Sequence, residues 1–145
     1  MGHRAPASVV CALLTLLTLL PLGACSNKRT YEFETSPPAN AGEVELALWV
    51  DKTGNGRIKL EFEHLAPPSR IDPSLQSYVV WATSDGRDPY KLGIVVYDAK
   101  KRTGSLDATF SNDWLKVIVT LEKDGLVATP TGTRVLEQVI VAPQR

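Results

Sequence analysis

The chain has 145 residues, enough for one ordinary domain, and its 43% hydrophobic and 22% charged residues are typical of a globular protein. Its 16 basic residues equal its 16 acidic residues, and no run of four or more basic residues is present. This balance argues against a nucleic-acid partner, because such proteins carry a basic patch that neutralises phosphates.

The first 24 residues have the three parts of a secretory signal peptide. Arg4 gives a positive start, residues 9–20 are almost wholly apolar, and the small residues Gly23 and Ala24 follow. An apolar run of about a dozen residues is too short to cross a hydrocarbon core of about 30 Å comfortably. The sequence therefore predicts export and removal of residues 1–24.

The end of this segment, Leu22-Gly23-Ala24-Cys25, resembles the bacterial lipobox, in which a branched residue and two small residues precede a cysteine. The resemblance implies cleavage between Ala24 and Cys25, diacylglycerol on the Cys25 thiol and fatty acids such as palmitate as the membrane anchor. Each buried methylene contributes about 0.8 kcal/mol, so two or three acyl chains hold firmly. The alternatives are an ordinary secreted protein with a chance cysteine and an uncleaved anchor helix.

Lipidation would place the protein in the bacterial cell envelope, on the extracytoplasmic side of a membrane. In enteric lipoproteins an Asp directly after the cysteine retains the protein in the inner membrane, so Ser26 favours the outer membrane. Cys11 and Cys25 are the two cysteines, so the mature domain would have neither a disulfide nor a thiolate metal site.

Residues 25–42 are mostly polar, and Pro37-Pro38 forbids regular strand pairing there. We predict that this segment is the lipidated cysteine followed by a flexible tether that lifts the domain off the bilayer. Within it, Tyr31 to Glu34 alternate between aromatic and acidic residues, which indicates a short edge strand.

From residue 43 onward, apolar and polar residues alternate with the period of a β-strand and no helical period appears. The predicted strands cover residues 43–50, 57–63, 77–83, 91–97, 104–110, 115–122 and 134–141. Strands that arrive every dozen residues or so, with turn residues between them, favour a sandwich. The prediction is an all-β fold, an antiparallel β-sandwich of about seven strands over residues 43–145.

Several short motifs of this region resemble the C-terminal extracytoplasmic domain of anti-sigma-K factors. They are Leu65-Ala66-Pro67-Pro68, Tyr78 to Ala82, Asp85-Gly86, Gly93, Val119-Thr120-Leu121-Glu122, Gly125 and Pro130-Thr131-Gly132. The resemblance covers residues 43–136, and it departs from the family pattern at Val79, at Lys123 and at the single Gly125.

This resemblance implies a β-sandwich outside the cytoplasmic membrane that senses or binds protein partners and has no established catalytic residues. Anti-sigma activity is not implied, because in that family it belongs to a cytoplasmic helical segment that we do not find in this sequence.

The segment from Asp51 to Gly56 has oxygen-bearing side chains at alternate positions and glycine at the sixth, as a calcium loop has. The twelfth position, where such a loop needs a bidentate glutamate, is Phe62. A plain hairpin turn is the favoured interpretation, and a weak calcium site from Asp51 and Asn55 is the alternative. We predict no other metal and no cofactor.

The sequence offers little catalytic chemistry. His64 is the one histidine that signal cleavage would leave, and no serine lies in a nucleophile-elbow motif. We therefore predict no enzyme and no catalytic residues. The alternative is a small envelope hydrolase that uses His64 or an acidic pair, which would require these groups to share a concave pocket.

Aromatic residues outside the core pattern are the candidates for a binding surface. Trp49 is out of phase with the apolar residues of its strand, Trp114 follows a polar turn, and Tyr90 lies beside another turn. For each of them a structural role is the favoured interpretation, and a place in a binding surface is the alternative. The predicted function is a non-enzymatic envelope lipoprotein whose sandwich binds another protein or a wall component. A purely structural spacer is the third interpretation.

Overall fold

The computed structural model describes residues 1–2, 27–39, 42–111 and 114–143, and for Trp114 it describes the backbone only. Ala24 and Cys25, the predicted cleavage and lipidation positions, lie outside the described residues.

The described part of the chain contains nine strands and one short helix. The elements are β1 Arg29–Glu34, β2 Glu43–Val50, β3 Gly56–Glu63, α1 Pro68–Ile71, β4 Ser77–Thr83, β5 Tyr90–Ile94, β6 Val96–Asp98, β7 Thr103–Phe110, β8 Trp114–Glu122 and β9 Thr133–Val141. Among the described residues, no helix is long and apolar enough to cross a bilayer.

The strands form two antiparallel sheets. The five-stranded sheet has the order β1-β2-β3-β7-β6, and the four-stranded sheet has the order β5-β4-β8-β9. Their inner faces share one core, whose largest fully buried side chains include Leu46, Leu48, Ile58, Leu60, Phe62, Tyr78, Leu115 and Leu121. The predicted antiparallel β-sandwich is confirmed, with nine strands in the described residues where about seven were expected.

One additional strand comes from a change of sheet at Val95. The predicted strand over 91–97 is divided between β5, which belongs to the four-stranded sheet, and β6, which belongs to the five-stranded sheet. Val95 is buried between them and its N–H donates to the carbonyl of Tyr78 at 2.9 Å. The crossing links the two sheets along this side of the sandwich.

The other additional strand, β1, lies in the segment predicted to be a tether. All six of its residues pair with β2, so the expected edge strand is present and starts two residues earlier. Just beyond it, the Ser36 N–H donates to the Val135 carbonyl of the opposite sheet at 2.6 Å. The folded unit therefore begins at Arg29 instead of residue 43, which leaves residues 26–28 between the strand and the predicted lipid site.

The proline-containing connection after β3 is held by hydrogen bonds from the hydroxyl groups of two tyrosines. The hydroxyl of Tyr78 donates to the Ala66 carbonyl at 2.7 Å, and the hydroxyl of Tyr97 donates to the Leu65 carbonyl at 2.8 Å. Leu65 itself is fully buried. Most of the Leu-Ala-Pro-Pro motif thus serves to close the sandwich.

The register gives the sandwich two distinct ends. β1 starts beside the end of β9, where the Tyr31 hydroxyl donates to the Val141 carbonyl at 3.1 Å and the Arg29 guanidinium approaches the same oxygen at 3.4 Å. We call this the entry end; it also carries the β2–β3 turn. The opposite end, where Glu34 pairs with Glu43, is the far end.

Candidate functional site

Six of the chain's eight glutamates lie on the outer face of the five-stranded sheet, on the adjacent strands β1, β2 and β3. All six are exposed. Alternate residues of a strand point to the same face, so the glutamates face solvent while their neighbours face the core. We call this group the glutamate grid; it consists of Glu32, Glu34, Glu43, Glu45, Glu61 and Glu63.

The register arranges the glutamate grid in two rows that cross the strands. Glu45 lies directly between Glu32 and Glu61, and Glu43 lies directly between Glu34 and Glu63. Side chains that lie directly opposite have Cβ atoms about 4.5–5.5 Å apart, and like charges at that spacing are destabilising. The arrangement therefore opposes folding.

Few cations neutralise the glutamate grid. Lys59 pairs with Glu61 at 2.7 Å, and His64 Nδ1 lies 3.9 Å from Glu43 Oε1. The remaining four glutamates form no salt bridge with any residue that the structure describes. The six side chains line an open concavity of about 890 Å³, so their negative charge faces a space that a partner could occupy.

His64 lies at the far end of this surface. Its backbone is in the left-handed region, with φ of 56°, and its carbonyl accepts a hydrogen bond from the Arg102 guanidinium at 2.8 Å. One ligand atom each of Glu43, Glu63 and His64 lie within 4.8 Å of one another. Two carboxylates and an imidazole are common ligands of divalent metal ions, so these are the residues that could hold a metal here.

The hydrolase alternative required two carboxylates, or His64, to face a common concave pocket. The carboxylates of the glutamate grid do share one, and His64 lies beside Glu43. The side chains of His64 and Glu43 are 62% and 68% exposed, however. Exposed carboxylates lack the burial that tunes many catalytic acids and bases, whereas the adjacent like charges of the glutamate grid are another means of tuning them.

The hairpin turn predicted between β2 and β3 is present. Asp51 Oδ1 accepts hydrogen bonds from the Thr53 hydroxyl at 2.6 Å and from the N–H groups of Thr53 and Asn55, each at 2.9 Å. The bond from the Thr53 hydroxyl is the main reason why the pKa of Asp51 is lowered. Phe62 is buried in the core. These contacts account for Asp51 and Asn55 as residues that close the turn.

The aromatic candidates lie apart from the glutamate grid. Trp49 is half-buried on the outer face of its strand, as its phase predicted, and pairs in register with Arg57. Tyr90 is 38% exposed at the start of β5. Trp114 starts β8 opposite Val141, and its side chain lies outside the described residues. All three positions belong to the entry end.

Sequence analysis did not find a second apolar cluster, which lies outside the four-stranded sheet. Val79, Trp81 and Ile118 are buried there, with Val127 packed against them. Val127 belongs to the loop between β8 and β9, residues 123–132, which we call the cover loop. Lys91 Nζ donates to the Gly125 carbonyl of this loop at 2.8 Å and lies 5.6 Å from the centre of the Trp81 ring.

Glu122 fastens the cover loop. Its buried carboxylate accepts hydrogen bonds from the Thr120 hydroxyl at 2.7 Å, the Thr131 hydroxyl at 2.8 Å, the Thr131 N–H at 3.1 Å and the Gly132 N–H at 3.0 Å. Burial alone would raise the pKa of Glu122, but the bonds from Gly132, Thr120 and Thr131 outweigh it and lower the pKa. The Trp81 indole N–H donates to the Thr120 hydroxyl at 2.8 Å.

These contacts give a structural role to two motifs that had suggested a family. Val119-Thr120-Leu121-Glu122 supplies the acceptor, and Pro130-Thr131-Gly132 supplies the donors that close the loop on it. Comparison of the chain with models of protein families, with curated proteins and with solved structures found no match. The resemblance to the anti-sigma-K outer domain stays a prediction.

Proposed function

We propose that this protein is a bacterial envelope lipoprotein, anchored by lipid on Cys25, whose β-sandwich is a non-enzymatic binding module. Its glutamate grid binds a basic segment of another envelope protein. The observation that carries the proposal is the pair of cross-strand rows, in which Glu45 and Glu43 each lie between two other glutamates.

Charge complementarity favours a basic protein segment over other occupants of this sheet face. A surface of one sign attracts an oppositely charged partner over a distance of several ångströms and speeds its association. The same carboxylates repel anionic wall polymers and anionic lipids. The open concavity leaves the outer face of the five-stranded sheet without a partner among the described residues.

The anchor is supported by the lipobox and by the position of the first strand. Leu22 to Cys25 match that motif directly after the apolar run, and the folded unit begins only four residues after Cys25. A sandwich so close to its lipid would act on partners at the membrane surface.

Site-specific photo-crosslinking in the native envelope tests the binding surface. A photoreactive residue replaces Asp98, which lines the same concavity as the glutamate grid, in one strain and Thr109 in the control strain. Thr109 is exposed on the same sheet face at the entry end. Of the two strains, we expect a crosslinked protein only in the one with the probe at position 98, joined through a segment rich in lysine or arginine.

A charge variant decides whether the glutamates are responsible for this capture. The crosslinker stays at position 98, and the variant carries three substitutions together: Glu32→Gln, Glu45→Gln and Glu61→Gln. We expect this triple variant to lose the crosslink. A crosslink that survives this triple variant, or one that maps to a segment without basic residues, would overturn the proposed surface.

Two observations favour the hydrolase alternative: the carboxylates of the glutamate grid share one concavity, and Glu43, Glu63 and His64 lie close together. Purified protein incubated with envelope polysaccharide or peptidoglycan would release soluble fragments if that alternative held. Release that disappears in Glu43→Gln and Glu63→Gln variants would replace the binding proposal with an enzymatic one.

A further inference from the structure

We infer that one corner of the entry end lies against the lipid headgroups, so that the far-end row of the glutamate grid, Glu34, Glu43 and Glu63, is held away from the membrane. The inference rests on the proposed lipid anchor at Cys25. The corner is formed by the start of β1, the end of β2 with its turn, and the end of β9. The residues that carry the argument are Arg29, Trp49, Lys52, Val139 and Val141.

The length of the tether limits how far this corner can stand from the bilayer. Arg29 is the first residue of β1 and follows Cys25 by four positions. A fully extended chain covers at most about 3.6 Å per residue, so the two Cα atoms lie within about 14 Å. Each headgroup layer is itself about 5–8 Å thick. The start of β1 is therefore held at the edge of the headgroup layer.

The direction of β1 separates the corner from the glutamate grid. The strand runs from Arg29, which contacts Val141, to Glu34, which pairs with Glu43 at the far end. Five residue steps of about 3.4 Å place Glu34 roughly 17 Å from Arg29. The tether thus keeps the basic start of the strand near the lipid, and the row of Glu34, Glu43 and Glu63 lies at the other end.

The side chains of the corner suit a headgroup layer. Val139 is 59% exposed and Val141 is 42% exposed on the outer face of the edge strand β9, and Trp49 is half-buried on the outer face of β2, in the other sheet. Tryptophan favours the membrane–water interface, where its ring and its N–H are both accommodated. Arg29 and Lys52 are exposed and basic, and basic side chains are attracted to anionic headgroups.

Two acidic residues lie in or beside the corner, and each contacts other groups of the protein. Asp51 closes its own turn through three hydrogen bonds on one carboxylate oxygen. Glu137, two residues before Val139, pairs with Lys116 at 3.1 Å and with Arg134 at 2.7 Å. The corner therefore presents apolar groups and the basic side chains of Arg29 and Lys52 against the single charge of Asp51, whereas the bilayer would repel the glutamate grid.

Single-cysteine labelling tests this orientation. The chain has no cysteine after Cys25, whose sulfur would carry the lipid, so an introduced cysteine is the one free thiol of the mature protein. Lys52→Cys and Val139→Cys report on the corner, and Lys101→Cys, which is exposed in the β6–β7 turn, is the matched control at the far end. Each lipidated full-length variant carries a fluorophore and is placed in vesicles of phosphatidylethanolamine and phosphatidylglycerol that contain a headgroup quencher.

We expect quenching several-fold stronger at positions 52 and 139 than at position 101. Equal quenching at all three positions, in protein that floats with the vesicles and carries lipid on Cys25, would overturn the orientation alone. Protein that carries no lipid and does not float would overturn both the orientation and the proposed anchor.

Discussion

The buried carboxylate of Glu122 accepts a hydrogen bond from the backbone N–H of Gly132 at 3.0 Å, across the full length of the cover loop. This contact and those of Thr131 hold ten residues over Trp81, on a sheet face that would otherwise be open to solvent. The cover loop therefore depends on the negative charge of Glu122 and on the lack of a side chain at Gly132.

Glu122→Gln should destabilise the protein at neutral pH by about 2 kcal/mol, since a buried charged acceptor loses its charge. The pKa of Glu122 in the folded chain lies below its ordinary value of 4.5. The stabilisation from its carboxylate is therefore complete above the unfolded pKa and is lost as the pH falls through the folded pKa. The difference between wild type and variant, measured by urea unfolding, should shrink as the pH is lowered from neutral to acid values.

Glu137→Gln is the matched control for that experiment. Glu137 is exposed and paired with Lys116 and Arg134, so solvent screens its contribution and we expect a change of about 0.5 kcal/mol. Equal, pH-independent losses in the two variants would show that the charge of Glu122 does not hold the loop.

Gly132→Ala should detach the cover loop. A Cβ on Gly132 would overlap the carbonyl oxygen of Leu121, which is backbone and cannot rotate away. On Gly125 the same atom would meet the side chain of Ile94, which can move. We expect a loss of roughly 3 kcal/mol for Gly132→Ala and about 1 kcal/mol for Gly125→Ala in urea unfolding, with exposure of Trp81 in the first variant only. Similar losses at both positions would contradict this account.

Lys91→Met should loosen the cover loop without unfolding the sandwich. The variant loses the hydrogen bond to Gly125 and the contact with the Trp81 ring, which together should destabilise the loop by about 1 kcal/mol. Limited trypsin digestion should then cleave after Lys123 faster than in wild type. Lys100→Met, in an exposed turn, is the control, and cleavage that is no faster in Lys91→Met than in this control would disprove the role of Lys91.

Glu45→Lys should stabilise the fold and weaken partner binding at once. The new cation would lie directly between Glu32 and Glu61, which turns two repulsive cross-strand pairs into attractive ones. The urea midpoint should rise most at low ionic strength, because salt screens exposed charges. Glu137→Lys, which breaks two salt bridges, should lower it. A lower midpoint for Glu45→Lys would mean that the glutamate grid does not oppose folding.

Local sequence patterns predicted most of the strands, because a strand with one wet face carries its period in its own residues. Ile58, Leu60 and Phe62 alternate with charged residues and are buried as expected. The hairpin at Asp51 could be predicted in the same way, because its turn residues and both flanking strands follow one another directly along the chain. These predictions needed no information about distant parts of the chain.

Long-range pairing explains what sequence analysis missed. The chain changes sheets at Val95, but the sequence has the same β-strand alternation before and after this residue. The alternation therefore does not show where one strand ends and the next begins. The burial of Trp81 depends on a loop more than forty residues later in the chain. The glutamate grid forms only because the register of β1, β2 and β3 brings Glu32, Glu45 and Glu61 into one row. No spacing within a single strand shows such a row.

The central claim of this account is that Cys25 carries the membrane anchor. Mass spectrometry of the N-terminal peptide, from protein purified out of the membrane fraction of its native host, tests it most directly. We predict a peptide that begins at Cys25 and carries diacylglycerol on the sulfur, and a Cys25→Ala variant that incorporates no labelled fatty acid. A peptide that begins at another residue, or an unmodified Cys25, would contradict the claim.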